Sequence, residues 1–197
     1  SYQSIKQAFK EAFVNEDYTL HYKGDSNLTE KAEKMHLGNV TTRANTQTAY
    51  ILGLMAGVFD DTNKAAQRLA ELVEKNPVSA QYDNHLTTGF LGTPQLLPML
   101  SKFGRSDLAY KLLLTDTYPS WLYQVRQGAT TYWEAWDSYQ KDKGFTESDK
   151  DSFNHYAYGA VAEWMYNYML GIQADKDHPG FKHFNLIPEI DPERRVA

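Results

Sequence analysis

The chain has no cysteine, so disulfides and thiolate metal sites are excluded, while the compartment stays open. No stretch approaches the ~20 consecutive apolar residues of a membrane span, and no signal peptide is visible in the sequence. No run of like charges marks an interaction tail. The net charge of −5 gives no sign of nucleic-acid binding. HExxH, a calcium loop and a carboxylate–histidine triad are all missing, so neither a metal nor a cofactor is expected. Gly89 and Gly92 are too isolated for a phosphate loop, and no serine sits in an elbow. What the chain does have is aromatics: 14 Tyr, 9 Phe and 4 Trp among 197 residues, a composition that excludes disorder. The length suffices for one domain, or a piece of one.

Hydrophobic periodicity predicts helices throughout. Ile5, Ala8, Phe9, Ala12 and Phe13 form an amphipathic stripe over residues 1–15, and residues 16–44 read mostly as loop. Every residue from Ala49 to Phe59 is apolar or glycine, which predicts a helix over 45–59 buried on all sides. Residues 62–75 carry a single stripe, Ala65, Ala66, Leu69, Leu72 and Val73, and read as an outer helix stopped by Asn76–Pro77. Thr93–Pro94 starts a further helix that runs to Gly104, and Ser106 is read as the cap of the next. A third nearly all-apolar helix is expected over residues 152–170, ended by Gly171.

Buried helices thus begin near 45, 92 and 152, with amphipathic helices between them, a helical-hairpin repeat. An open α-solenoid and a closed α/α barrel both use such hairpins. The all-apolar members favour the barrel, whose inner helices meet neighbours on every side. In a barrel the loops entering the inner helices share one end. Here those are residues 17–44, 76–91 and 127–152, holding Met35–His36–Leu37–Gly38, Tyr82–Asp83–Asn84–His85 and Trp133 to Asp137. The turns at the opposite end, 60–61 and 104–105, are minimal. Three hairpins do not close a barrel, the chain opens within a helix, and FKHFNLIPEIDP reads as a new β element. Natural sequence is therefore expected on both sides.

The stretch from Gly128 to Gly159 concentrates the chemistry. Trp133 and Trp136 flank Glu134, Asp137 follows, and Asn154–His155–Tyr156 closes it. Aromatic faces cover the C–H face of a pyranose, and carboxylates bind its hydroxyls or do acid–base work, so the stretch reads as a sugar site. If it is extended, Glu134 and Trp136 point to the same side. If it starts a helix, Trp133 pairs with Trp136 and Glu134 with Asp137. Asp137 orients Glu134, binds a hydroxyl, or caps a turn. The tryptophans line a cavity or belong to the core. His155 is read as a sugar contact. His85 is a weaker candidate for the same role, because Asn84 or Thr87 could cap the helix beside it.

Three segments, LTTGFLGTPQLLPML, DLAYKLLLTDTYPSWLYQVRQGATTYWEAWDS and SFNHYAYGAVAEWMY, resemble the catalytic domain of bacterial α-L-rhamnosidases of glycoside hydrolase family 78. The resemblance covers roughly residues 36 to 190. It implies an all-α fold, part of an (α/α)6 barrel, over residues 1–175, with 176–197 as the link into a truncated β-sandwich. It implies hydrolysis of terminal α-L-rhamnose with inversion, on a rhamnose-containing carbohydrate, without nucleic acid or membrane. In the family the glutamate of W-E-x-W-D is the general base, which carries onto Glu134, and the histidine of N-H-Y contacts the sugar, which carries onto His155. The general acid belongs to a segment rich in Asp, Arg and Trp that this chain lacks, so the chain alone is expected to be inactive. Exposed inner helices would favour its self-association. Alternatives are a related (α/α)6 glycosidase acting on another sugar, or a non-catalytic carbohydrate-binding helical repeat.

Overall fold

The computed structural model describes residues 1–21, 44–146 and 152–193. The expectation at Met35–His36–Leu37–Gly38 lies outside them. Helix α1 (Tyr2–Phe13) is capped by the Ser1 hydroxyl, which accepts the Ser4 N–H. It leans on the turn after the next helix: the Tyr2 hydroxyl donates to the Gly57 carbonyl, and Phe9 meets Phe59 edge-on.

Helices α2 (Gln47–Met55), α3 (Thr62–Glu74), α4 (Thr93–Lys102) and α5 (Ser106–Leu114) form two hairpins. A short α6 (Trp121–Arg126) follows. The last helical stretch enters by a 3-10 turn at Ala157–Ala160, continues as α7 (Val161–Trp164), and leaves as a π-helical turn at Met165–Met169. α2 packs on α4 and α4 on α7, while α3 packs on α5. The expected alternation is therefore an inner row of α2, α4 and α7 with α3 and α5 outside. Among the described residues no helix is long and apolar enough to cross a membrane.

Several boundaries differ from the sequence expectation. α2 stops at Met55, although apolar residues continue to Phe59. Gly57 sits at φ +67°, its N–H bonds the Leu54 carbonyl, and the Val58 N–H reaches back to Gly53. This left-handed turn satisfies the last carbonyls and is cheap only at glycine. The turn to α3 thus runs over 56–61 rather than 60–61. Nor is α2 buried on all sides: Leu52 and Met55 are 43% and 54% exposed. An inner helix needs neighbours on both flanks, and the described residues give it α4 on one. Ser106 is the first residue of α5 rather than its cap, and its hydroxyl bonds Ser101 and Glu189 instead. The last helix begins at 157 rather than 152, because residues 152–155 pair with the segment around Glu134.

The core lies between the two rows. Trp164 is its largest fully buried side chain, edge-on to Tyr110, with its indole N–H donating to Ser101 at 2.9 Å. Two small antiparallel pairs complete the fold: β1 (Tyr139–Gln140) with β2 (Gly144–Phe145), and β3 (Ile172–Ala174) with β4 (Phe184–Leu186). β4 is the β element expected near the end, and its partner strand precedes residue 175, so one hairpin lies on both sides of the expected domain boundary. Past β4, Glu189 ties back through its N–H to Tyr168 and through its carbonyl to the Tyr110 hydroxyl.

Candidate active site

The site is assembled on α6, which is too short for periodicity to reveal. Ser120 caps it by accepting the Tyr123 N–H. It ends at Gly128, φ +98°, whose N–H bonds Val125 while the Ala129 N–H bonds Gln124, another left-handed glycine stop. The chain turns back over α6 at that point. Gln124, buried on α6, holds the returning segment on both sides of Glu134. Its Nε2 donates to the Ala135 carbonyl at 3.1 Å, and its Oε1 accepts the Trp133 N–H at 3.4 Å. Ser138, also buried, closes the following turn with Ala135.

The other side of the segment is held by residues 152–155. The Glu134 N–H donates to Ser152, and the His155 N–H to Tyr132. The Ser152 N–H donates to Glu134 Oε2 at 2.9 Å, so one carboxylate oxygen is fixed by the main chain. The Glu134 and His155 segments, far apart in sequence, are thus joined directly by backbone hydrogen bonds.

Aromatic rings surround the carboxylates. Trp136 stacks on Tyr158 at 3.8 Å between centroids and meets Trp121 edge-on. Phe90, from the loop before α4, reaches Tyr158 and stacks on His155 at 4.7 Å. Tyr82, Tyr118 and Tyr123 continue the wall. Burial, then the Glu134 charge, pushes the Tyr158 phenol up. Burial, then Asp137, pushes Tyr118 up to about 12. Both phenols therefore stay protonated at neutral pH and can donate hydrogen bonds. The described parts of the loops 76–91 and 127–152 meet at this end through Phe90, Trp136, His155 and Tyr158.

The backbone around Glu134 is neither helix nor strand but bend and turn: Trp136 stacks on Tyr158, on which the Glu134 charge also acts, while Trp133 turns to Phe153 and Tyr139. There Trp133 lines an open groove of about 480 Å³ with Thr131, Tyr139, Phe145 and Phe153. Both tryptophans are largely buried: Trp136 belongs to the core cluster, and Trp133 lines the groove. Asp137 carries its charge near Tyr118 and Tyr123: burial, then that charge, raises both phenols. His85 is differently placed. It is buried, with Nδ1 donating to the Asp83 carbonyl and Nε2 accepting from the Thr117 hydroxyl, both at 2.8 Å. A carbonyl can only accept, which fixes that tautomer and leaves neither ring nitrogen for a ligand. Its main chain is held as well: buried Gln47 donates to the His85 carbonyl and accepts the Thr87 N–H. Gln124, Gln47 and Tyr158 were not singled out from sequence. Nothing local marks a clamping glutamine, because its partners lie across a chain reversal.

A family model described as the bacterial α-L-rhamnosidase six-hairpin glycosidase domain matches residues 1–169. An α-L-rhamnosidase of Formosa agariphila is 40% identical over 189 residues, 95% of this chain and 17% of that protein. The solved α-L-rhamnosidase of Streptomyces avermitilis complexed with L-rhamnose superposes with a TM-score of 0.73 at 39% identity, over 95% of this chain and 16% of that one. The native enzyme of Aspergillus terreus gives the same TM-score at 30% identity, over 95% and 18%. The chain spans about one-sixth of the length of the relatives it matches.

Proposed function

The chain belongs to the bacterial α-L-rhamnosidase six-hairpin glycosidase family, and from that premise we propose that it supplies the water-activating half of a site that removes terminal α-L-rhamnose with inversion. Residues 1–175 are read as barrel and 176–197 as the link onward. The carrying observation is Glu134, held by Ser152 on one carboxylate oxygen and by Gln124 through both neighbouring peptides, against the Trp136–Tyr158 stack. Glu134 Oε1, which takes no hydrogen bond among the described residues, is the oxygen for the water proton. Trp136, Tyr158 and Phe90 cover the sugar's apolar face, His155 and Asp137 bind hydroxyls, and Trp133 keeps the neighbouring groove dry enough to seat the rest of the glycoside.

Inversion needs a second carboxyl roughly 6.5–9.5 Å from the first, protonating the leaving oxygen while the base activates water on the opposite face. That acid is assigned outside this chain, so the 197-residue chain by itself does not turn over rhamnosides. The exposed Leu52 and Met55 support self-association of the isolated chain. The test is hydrolysis of an aryl α-L-rhamnoside by the chain alone and by a longer protein carrying it. The expected result is turnover by the longer protein only, with the anomer inverted by NMR. Turnover by the isolated chain, or a retained anomer, rejects the reading.

A further inference from the structure

The β3–β4 hairpin carries a side-chain cluster that the glycosidase chemistry leaves unused. Its loop brings together Asp175, His178 and His183, spaced D-x2-H-x4-H. Both histidines direct Nδ1 to the same carboxylate oxygen, Asp175 Oδ2, at 3.1 and 2.7 Å. One ligand atom from each of the three lies within 4.8 Å of the others. Ligand atoms of a tetrahedral zinc with bonds of about 2.0–2.1 Å stand roughly 3.3 Å apart. The two nitrogen–oxygen separations are therefore already near the edge of one coordination shell.

The cluster is also held in place. Asp175 Oδ1 accepts the Asp177 N–H at 2.8 Å, and the Asp175 carbonyl accepts the His178 N–H at 3.3 Å, which aims Oδ2 at the two rings. The strand register, Ala174 opposite Phe184, places His183 across from the Asp175 side of the hairpin. Both imidazoles are more than half exposed, so an ion can enter and keep a water. Simple surface His–Asp pairs need only one ring per carboxylate oxygen. Two imidazoles converging on one oxygen make a shared centre.

We propose that Asp175, His178 and His183 form a surface site for a divalent transition metal of the zinc class, with two imidazole nitrogens, one carboxylate oxygen and a water. Two nitrogens and one oxygen suit zinc, copper or nickel rather than magnesium or calcium, which take oxygen shells. The ion takes the place of the two Nδ1 protons, which move to Nε2 of each neutral ring, so the histidines need lose no net proton. Bound there, it ties both ends of the hairpin loop together, and because only the folded hairpin assembles the ligands, binding raises the midpoint of its unfolding.

The test uses the full chain, stripped with chelator and titrated with Zn²⁺ alone by calorimetry. One equivalent is expected to bind saturably, with no competition from excess Mg²⁺ or Ca²⁺. His178→Ala and His183→Ala should each weaken it at least tenfold, and Asp175→Asn should also weaken it. Imidazole NMR of the unaltered chain gives an independent reading: zinc-dependent shifts belong to His178 and His183, not to His85 or His155. Absence of saturable binding, undiminished binding in the His178→Ala/His183→Ala double variant, or shifts confined to other histidines overturns the proposal.

Discussion

The acids that frame the hairpins and the two acids of the candidate site are treated in opposite ways. In the frame carboxylates are neutralised, Asp83 by Lys75 among them. Arg105 bridges Glu74 and Asp107, and Lys6 and Lys10 converge on Asp60. In the candidate site Glu134 and Asp137 have no cation partner among the described residues; the Ser152 N–H holds the Glu134 carboxylate, and Gln124 holds the peptides on either side of Glu134. A salt bridge fixes a charge by spending it, whereas hydrogen bonds from the main chain fix a carboxylate and leave it available as a base. The tryptophans divide as well. Trp164 and Trp136 are packed in the core, Trp164 with its N–H on Ser101, while Trp133 lines an open groove.

The largest expected effect tests the acid left unpaired. Glu134→Gln in a longer, active protein keeps the Ser152 contact and the fold but removes the base, so kcat falls by about 10²–10⁴-fold. A value within tenfold of wild type removes Glu134 from the chemistry. Next, Trp164→Ala should cost about 3–5 kcal/mol of stability, read by denaturant unfolding, because it opens a cavity and removes the indole donor from Ser101. Gln124→Ala lies between stability and function. It leaves the Trp133 N–H without its partner and takes one donor from the Ala135 carbonyl, which keeps Ser138, costing about 1–3 kcal/mol. It should lower kcat more than it raises KM, since Glu134 loses its clamp. An unchanged kcat in the folded variant would make Gln124 merely structural.

The smallest effect belongs to the ion pairs. Arg105→Gln should cost only about 0.5 kcal/mol, because the bridge is partly exposed and screened. Its signature is pH dependence. The Arg105 guanidinium holds the Asp107 carboxyl below its ordinary value of about 3.9. A depressed carboxylate contributes stability above the unfolded value, and that contribution is lost as pH falls through the lower folded value. The variant should therefore lose less stability than wild type on acidification below about pH 4, measured by thermal unfolding across pH. An identical acid limb in both proteins would assign the acid loss to other carboxylates.

Much of the fold could be read directly from residue patterns. The stripe Ala65, Ala66, Leu69, Leu72 and Val73 marked α3 to within a residue, and the all-apolar run marked α2 as an inner helix. Its end could not be read, because hydrophobicity continues through Ala56 to Phe59 while the left-handed Gly57 decides the stop. α6 escaped because six residues make less than two turns. The site was legible where residue type carries chemistry, as with Glu134 between two tryptophans. It was illegible where geometry carries it: His85 looked like a sugar contact, and both of its ring nitrogens are used inside the protein. Asp175, His178 and His183 match no motif, since a hairpin turn, not a helical spacing, brings them together.

The sequence by itself determined the longer helices, their inner and outer rows, and the candidacy of Glu134, because periodicity and residue chemistry are local properties that survive without the fold. Tertiary structure alone decided which tryptophan faces the acid, which glutamine holds it, which histidine is consumed as a support and which two share a carboxylate. Those outcomes depend on where the chain reverses. A reversal is set by the free energy of packing and hydrogen bonding among residues distant in sequence, which no single window of residues contains.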